Sequence, residues 1–558
     1  MSESSGHSVA RNSLIMGLGT LVSRILGIVR SPIMLGAIVG MTSLAANSFD
    51  VANKLPTIIY MIVAGGLVNA VLVPAIVRAT EESTDDGQAF INKLITLSIV
   101  LLGAITLVLT IASPLVVKAF AATMHHDWFR LTVAFTYWCM PQVFFYGMYT
   151  VLGQILNARE NFGPYTWAPV LNNVVAIAGF LVILAIFGAY TEQVGTDVTV
   201  WTAGRIAMLG GFSTLGIVAQ ALILIIPMRR LGLRYRPDFS WKGAGLGRAG
   251  KTSWWMFLTM LVSIVPTMMW SNVAAGATTR AKEAGMQLAQ VAGNYAHTTA
   301  YTIYTIPQSL IVVSIATAVF TRLSQYAVNR NLEAMRKDVS STARTVSTLT
   351  FLSTVGLIVL AGPISRLLAF TVSAEEAVTV ARVLIAMSLG IVGVGMQTVF
   401  NRVYYAFEDT RGNFFVILPF QIALVVGYWF CHYLPPQWSV VAVGLVQSIV
   451  NIAMPVAMGL HLRGRMEGID GKRLLISHGK LLAVSLISLA ISAGILRLFG
   501  PFAEPISVGS ALIRCLVIAP VIVATFLGAM RLFRMEELSM MMSPLRSLAR
   551  KFGIGKSG

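Results

Sequence analysis

Arg24 and Arg30 stand inside one apolar run, and Asn47, Asp50, Asn53 and Lys54 crowd into the next. An ionisable group at membrane depth costs roughly 2.5–3.5 kcal/mol on insertion scales, so such groups face protein or a water-filled interior. Asn47, Asp50 and Lys54 step by three and four and share one helical face, with Asn53 beside it. The stretch from Arg24 to Arg30 turns through about 600° of helix, which leaves the two within roughly 120° of each other. Both can line one side of a cavity at different depths. The competing reading lets Arg30 snorkel to the interface and lets Asp50 pair with Lys54 along the helix. That pairing is compatible with lining a cavity.

Three cations against one carboxylate favour an anionic cargo, and Arg in particular suits bidentate contacts to phosphate. A later run, 286–321, offers Gln290, Asn294, His297, Thr302, Thr305 and Gln308, which are neutral or nearly so. A large anionic head group gripped by one half, with hydrogen bonds from the other, is the simplest physical reading. A lone intramembrane histidine such as His297 is more often hydrogen-bonded than proton-coupling. Asn157, Arg159, Glu160 and Asn161, with Glu408, Asp409 and Arg411, read as solvated helix ends. No phosphate-binding loop, zinc-protease helix or nucleophile elbow is present, so no enzymatic chemistry, catalytic residue or cofactor is expected. Cys139, Cys431 and Cys515 lie in separate apolar runs with no metal-ligand spacing, so no metal site is expected either. Membrane potential, sodium or protons remain as candidate energy sources.

The elements that must position these residues are membrane spans. Hydrophobic residues make up 56% of the chain and charged ones 11%, against about 25% charged in soluble domains. Apolar runs long enough to cross a ~30 Å hydrocarbon core recur from end to end. They predict about fourteen helices, near 13–37, 45–78, 89–118, 128–158, 165–189, 203–228, 252–278, 286–321, 345–371, 377–407, 413–433, 438–461, 477–499 and 508–532. The loops between them are too short for a soluble catalytic domain. The first run lacks a signal-peptide cleavage pattern and is kept as a span.

The net charge of +18 does not imply nucleic acid, because the basic residues collect in alternate loops. Arg229, Arg230, Arg234, Arg236, Lys242, Arg248 and Lys251 fill one; Arg322, Arg330, Arg336, Lys337 and Arg344 the next; Arg463, Arg465, Lys472, Arg473 and Lys480 another. The intervening loops, such as Tyr190 to Trp201, lack Lys and Arg. By the positive-inside rule the basic loops are cytoplasmic, and Arg11 and the tail residues Arg531, Arg534, Arg546, Arg550 and Lys551 place both termini there.

The chain repeats itself. Ser13, Met16, Leu18, Leu21, Val22 and Ser23 recur as Ser253, Met256, Leu258, Leu261, Val262 and Ser263, an offset of 240. Gly147, Met148, Thr150, Val151, Ala158 and Glu160 recur as Gly395, Met396, Thr398, Val399, Ala406 and Glu408, an offset of 248. An offset of six spans gives parallel repeats, as in several transporter folds. The expectation is an all-α membrane protein with a six-helix N-terminal lobe over 1–236, a six-helix C-terminal lobe over 237–466, and two further helices with a cytoplasmic tail over 467–558. Pro56, Pro74, Pro141, Pro266 and Pro307 mark candidate kinks.

Ser23-Arg24-Ile25-Leu26-Gly27-Ile28-Val29-Arg30 resembles the first-helix signature of the bacterial lipid II flippases, the MurJ (MviN) family of the multidrug/oligosaccharidyl-lipid/polysaccharide exporter superfamily. The likeness continues through Lys54-Leu55-Pro56, Gly66 and Val73-Pro74, the repeated helices and the two C-terminal helices. It implies alternating access between two lobes that moves an undecaprenyl-pyrophosphate-linked peptidoglycan precursor from the inner to the outer leaflet of the bacterial cell membrane. It also implies a pyrophosphate held by cavity arginines and a groove for the lipid tail on the last two helices. Arg24, Arg30 and Lys54 coincide with basic positions of the family. Asn47 stands where the family usually has an acid; Thr302 falls on its arginine in the eighth helix; Tyr60-Met61 and Ala64-Gly65-Gly66 replace an Arg pair and an Ala-Glu-Gly segment. Arg24 and Arg30 then carry more of the burden.

The resulting expectation is a monomeric flippase of an anionic lipid-linked oligosaccharide, surrounded by membrane lipids and working beside the cell-wall synthesis machinery. An exporter of capsule or O-unit precursors is the alternative. A cation-exporting drug pump would need an acidic cavity, and a membrane glycosyl polymerase would need carboxylates on sizeable outer loops; neither pattern is present.

Overall fold

A computed structural model describes residues 3–63, 87–240, 250–500 and 506–539. Ala64-Gly65-Gly66, Val73-Pro74, Lys242, Arg248 and the basic tail beyond Ser539 lie outside the described residues. Among the described residues all regular structure is helical. The longer helices are α1 (Glu3–Ile28), α2 (Leu44–Val63), α3 (Gln88–Ile111), α4 (His126–Cys139), α5 (Gln142–Ala158), α6 (Phe162–Phe187), α7 (Ala203–Leu222), α8 (Gly250–Glu283) and α9 (Asn294–Pro307). They continue as α10 (Val313–Val328), α11 (Leu332–Val359), α12 (Ala374–Ser388), α13 (Ile391–Ala406), α14 (Thr410–Cys431), α15 (Pro436–Arg465), α16 (Gly471–Arg497) and α17 (Val508–Leu532).

Eleven helices among the described residues are long and apolar enough to cross a membrane, or twelve if the bent pair α12 and α13 counts as one span. Two predicted spans fall outside that count. The run 45–78 is described as far as Val63, and its polar residues Asn47, Asp50, Asn53 and Lys54 lower its hydropathy. The run 128–158 is broken into α4 and α5 at Met140 and Pro141. Side chains such as Ile111, Leu115, Leu475 and Leu516 are well exposed, as lipid-facing residues must be.

Prolines act unequally. Pro56 and Pro266 lie within unbroken α2 and α8, whereas Pro307 leads directly into a π-helical segment, Gln308–Val312. A second π segment, Val29–Leu35, contains Pro32 and interrupts the first span just after α1. Widened turns of this kind re-aim side chains and favour functional sites.

The chain packs as two compact units, Met1–Tyr295 and Ala296–Gly558. The predicted lobe boundary at 236/237 follows the repeat; the packing boundary lies in the first turn of α9. The reason is α8, which is stitched to the short helix Ser113–Ala121: Asn272 Oδ1 accepts from Ala122 N at 2.6 Å, and Asn272 Nδ2 donates to Ala119 O at 2.8 Å.

Within each unit the repeat is visible as geometry. Helix α5 ends at Ala158 with Glu160 at φ 57°, and α13 ends at Ala406 with Glu408 at φ 54°. In the first unit the break between α4 and α5 frees Trp138 O, which accepts from Thr214 Oγ1 of α7 at 2.7 Å. In the second the break between α12 and α13 frees Ala386 O, which accepts from Ser448 Oγ of α15 at 2.7 Å. A backbone carbonyl exposed in apolar surroundings must find a donor, and both units supply a hydroxyl.

Candidate functional site

The sequence-predicted polar residues of α2 lie in the interior of the first unit. Asn47 is fully buried and Asp50 nearly so. Lys54 Nζ donates to Asp50 Oδ2 at 3.0 Å and to Asn294 Oδ1 at 2.9 Å, and it lies 4.1 Å from the centre of the Trp270 ring. Asn294 is itself held by α8: Ser271 Oγ donates to its Oδ1 at 2.8 Å, and its Nδ2 donates to Ser271 O at 3.1 Å. One ammonium therefore finds a carboxylate, an amide oxygen and an aromatic face, which together offset its desolvation.

Asn47 works beside it. Its Oδ1 accepts from Tyr295 N at 3.1 Å and so satisfies a backbone donor in the opening turn of α9. The approach is close enough that a Cβ on Gly293 would stand 2.2 Å from Asn47 Nδ2, so glycine is required there. The Tyr295 hydroxyl donates to Ser31 O at 2.5 Å. Asn294 and Tyr295, the last residues of the first unit, are thus tied to the first span, to α2 and to α8.

Arg30 lies in the π segment. Its Nη1 donates to Asn172 Oδ1 of α6 at 3.4 Å. It lines a cavity of about 30 Å³ with Asn53, Gln142, Tyr146, Ser213 and other residues of the first unit, room for about one water. Gln142 Nε2 donates to Asn53 Oδ1 at 3.2 Å and to Thr214 Oγ1 at 3.0 Å. Among the described residues no carboxylate lies within ion-pair distance of Arg30. Arg24, half-buried, precedes the π segment on α1, where Asn173 Nδ2 donates to Ser23 O at 2.8 Å. The asparagine pair of α6 therefore holds the first span at Ser23 and at Arg30.

The structure brings Asn47, Asp50 and Lys54 into one network and places Arg30 and Asn53 on one cavity. Thr302 joins neither. It belongs to the second unit, where its hydroxyl donates to Thr298 O at 2.9 Å along its own helix. His297 is buried in that unit beside Tyr301. Sequence reasoning missed Asn172, Gln142, Ser271 and Trp270. The first two were visible as amides in apolar runs; nothing distinguished Ser271 or Trp270 from packing residues. The arrangement sets the Arg30 guanidinium among amide side chains at a void of water size. It offers no nucleophile with a base, and no group of acids, histidines or cysteines among the described residues could hold a metal.

Known proteins share this architecture. A family model described as lipid II flippase MurJ matches residues 36–516. A probable lipid II flippase MurJ of Synechocystis is 25% identical over 502 residues, covering 87% of each chain. A solved lipid II flippase MurJ in an inward closed conformation superposes with a TM-score of 0.68 at 19% identity, covering 92% of this chain and 98% of that one. An inward-facing multidrug resistance MATE family transporter of the MOP superfamily superposes with a TM-score of 0.59 at 13% identity, covering 80% and 99%.

Proposed function

The chain belongs to the lipid II flippase MurJ family, and from that premise we propose that it carries an undecaprenyl-pyrophosphate-linked peptidoglycan precursor from the inner to the outer leaflet, as cell-wall synthesis requires. The observation that carries this reading is Arg30: a guanidinium in a π-widened turn, facing a polar cavity with amide partners and no described carboxylate. When the water-sized void widens in the transport cycle, such a group meets a pyrophosphate with short charge-assisted bonds. Arg24 lies on the same span and meets the cargo at a different depth.

Transport proceeds by alternating access between the lobes 1–236 and 237–466, with 467–558 receiving the lipid tail. The contacts of Lys54 with Asn294, of Asn47 with Tyr295 and of Tyr295 with Ser31 form a latch that opens and re-forms in each cycle. Interhelical hydrogen bonds in membranes average about 0.6 kcal/mol, so three of them hold one state without trapping it. The Lys54 and Asp50 pair lies within α2 and travels with it. Thr302 contributes a neutral contact from the second lobe.

The carrier is a monomer with both termini cytoplasmic; it performs no covalent chemistry, needs no cofactor, binds no nucleic acid and works alongside the cell-wall synthesis machinery. Moving a negative head group outward runs down an inside-negative potential, worth about 2.3 kcal/mol per charge per 100 mV. The potential is therefore the proposed driving force, and imposed sodium and proton gradients are the controls that would replace it.

Externalised precursor is measured in cells depleted of their own flippase and carrying Arg24→Ala or Arg30→Ala. Both variants insert in the membrane and fail to export. Normal export by both would remove the cavity from the mechanism, and export of a different lipid-linked saccharide with the peptidoglycan precursor left inside would favour a capsule or O-unit cargo.

A further inference from the structure

The strap begins with Arg229 and Arg230 at the end of the short helix Ile225–Arg230 and continues from Leu231 to Ser240 without helical structure along the start of α3. Gln88 Nε2 donates to Arg234 O at 3.0 Å, Arg236 N donates to Asn92 Oδ1 at 3.1 Å, and Asp238 N donates to Thr96 Oγ1 at 3.0 Å. The match is geometric: two extended residues advance about 6.6 Å and four helical ones about 6 Å. Each alternate strap residue therefore meets the next turn of α3. Leu233 is buried in a cluster with Ile91, Leu94 and Ile95, which pins the strap to the helix.

Its depth is set by the helix. The 24 residues of α3 span about 36 Å, roughly 6 Å more than the hydrocarbon core. That excess is about one turn, Gln88 to Asn92, so the strap as far as Arg236 runs at the level of lipid head groups and its end beside Thr96 sits deeper. The strap exposes Arg229, Arg230, Arg234 and Arg236 there, interleaved with exposed Leu231, Tyr235 and Phe239. Basic and aromatic side chains at this level suit an interface with anionic lipid.

The second unit docks a loop onto α11 in the same way: Arg336 Nη1 donates to Glu467 O at 2.7 Å and Ser340 Oγ to Asp470 Oδ2 at 2.6 Å. Three of its basic side chains pair internally, Arg322 with Asp338, Arg465 with Asp409 and Arg473 with Glu536. The four strap arginines have no ion pair among the described residues. We propose that the strap is a binding site for anionic phospholipid head groups, separate from the cargo cavity.

The test uses the full chain in neutral detergent, with its thermal midpoint followed as phosphatidylglycerol or phosphatidylcholine is added. Phosphatidylglycerol raises the midpoint of the wild type and phosphatidylcholine does not. Combining R229Q, R230Q, R234Q and R236Q raises the half-saturating phosphatidylglycerol concentration by on the order of fivefold per arginine removed. The four Arg→Lys changes restore most of the affinity, and because the strap is held by its backbone, both variants keep the unliganded midpoint. An unchanged response in the Gln variant overturns the proposal. So does an equal shift with inorganic phosphate, which would mark a free-anion site. Glu81, Glu82, Asp85 and Asp86 precede α3 in the chain; if the wild type does not respond and a variant with these four changed to Gln or Asn does, the arginines serve an internal pairing and the proposal also fails.

Discussion

The breaks between α4 and α5 and between α12 and α13 occupy equivalent places in the repeat, and each frees a carbonyl that a hydroxyl from a neighbouring helix satisfies. The residues in and just beyond the two breaks differ. The first unit has Gln142, which reaches Asn53 and Thr214 and lines the cavity with Arg30. The second has Gly390 and then Gly393, where a Cβ would fall 1.9 Å from Asn451 O. One break is filled by polar side chains around a small void; the other is closed by backbone packing. The same architectural device thus yields a polar void in one unit and a tight helix contact in the other.

The largest expected effect comes from Lys54→Met, which removes the ammonium from beside the buried Asp50 carboxylate. Loss of one member of a buried pair costs about 3–5 kcal/mol, read as a lowered unfolding midpoint in detergent. Lys54→Met with Asp50→Leu recovers most of it; a single variant as stable as the wild type would show that the network is not coupled.

In the second unit, Gly393→Val collides with the backbone of α15 and lowers stability by about 3 kcal/mol, whereas Gln142→Gly in the first unit costs about 1–3 kcal/mol by stranding its amide partners. The same melts decide it. Equal tolerance at both sites would erase the distinction between a packed and an open break.

Thr214→Val and Ser448→Ala remove the two hydroxyl donors and should cost similar amounts, about 1 kcal/mol each. A clear loss in one unit alone would show that the breaks are not equivalent.

The smallest effect is an acid one. The Arg473 guanidinium beside Glu536 holds that carboxyl below its ordinary range, with Arg344 adding to the effect. A depressed folded-state pKa stabilises above the unfolded value and loses that contribution as pH falls through the folded value. The contact of Glu536 with Arg473 therefore persists at neutral pH and fades only in acid below the usual carboxylate range, followed by titrating Glu536 in wild type and Arg473→Gln. Identical titrations would show that the pairing does not hold the carboxylate.

The repeat was legible because its glycines and acids recur where geometry demands them, and Glu160 and Glu408 share a left-handed conformation at helix ends. Pro141 announced one break; the other contains no proline and was silent, since Gly390 and Leu389 resemble any apolar span. Arg30 and Asn53 stood out because charge and amide are expensive in lipid. Trp270 did not, since an aromatic in a span is ordinarily packing. The lobe boundary was read from the repeat, and no sequence pattern signalled that α8 would pack with the first unit.

The most direct test of the cavity's role measures flipping of a fluorescent lipid II analogue in vesicles containing wild type, Arg30→Ala or Arg30→Lys. The expected result is loss of flipping in Arg30→Ala and partial retention in Arg30→Lys, which keeps the charge without the bidentate fork. Flipping by Arg30→Ala at the wild-type rate would contradict a pyrophosphate held by Arg30.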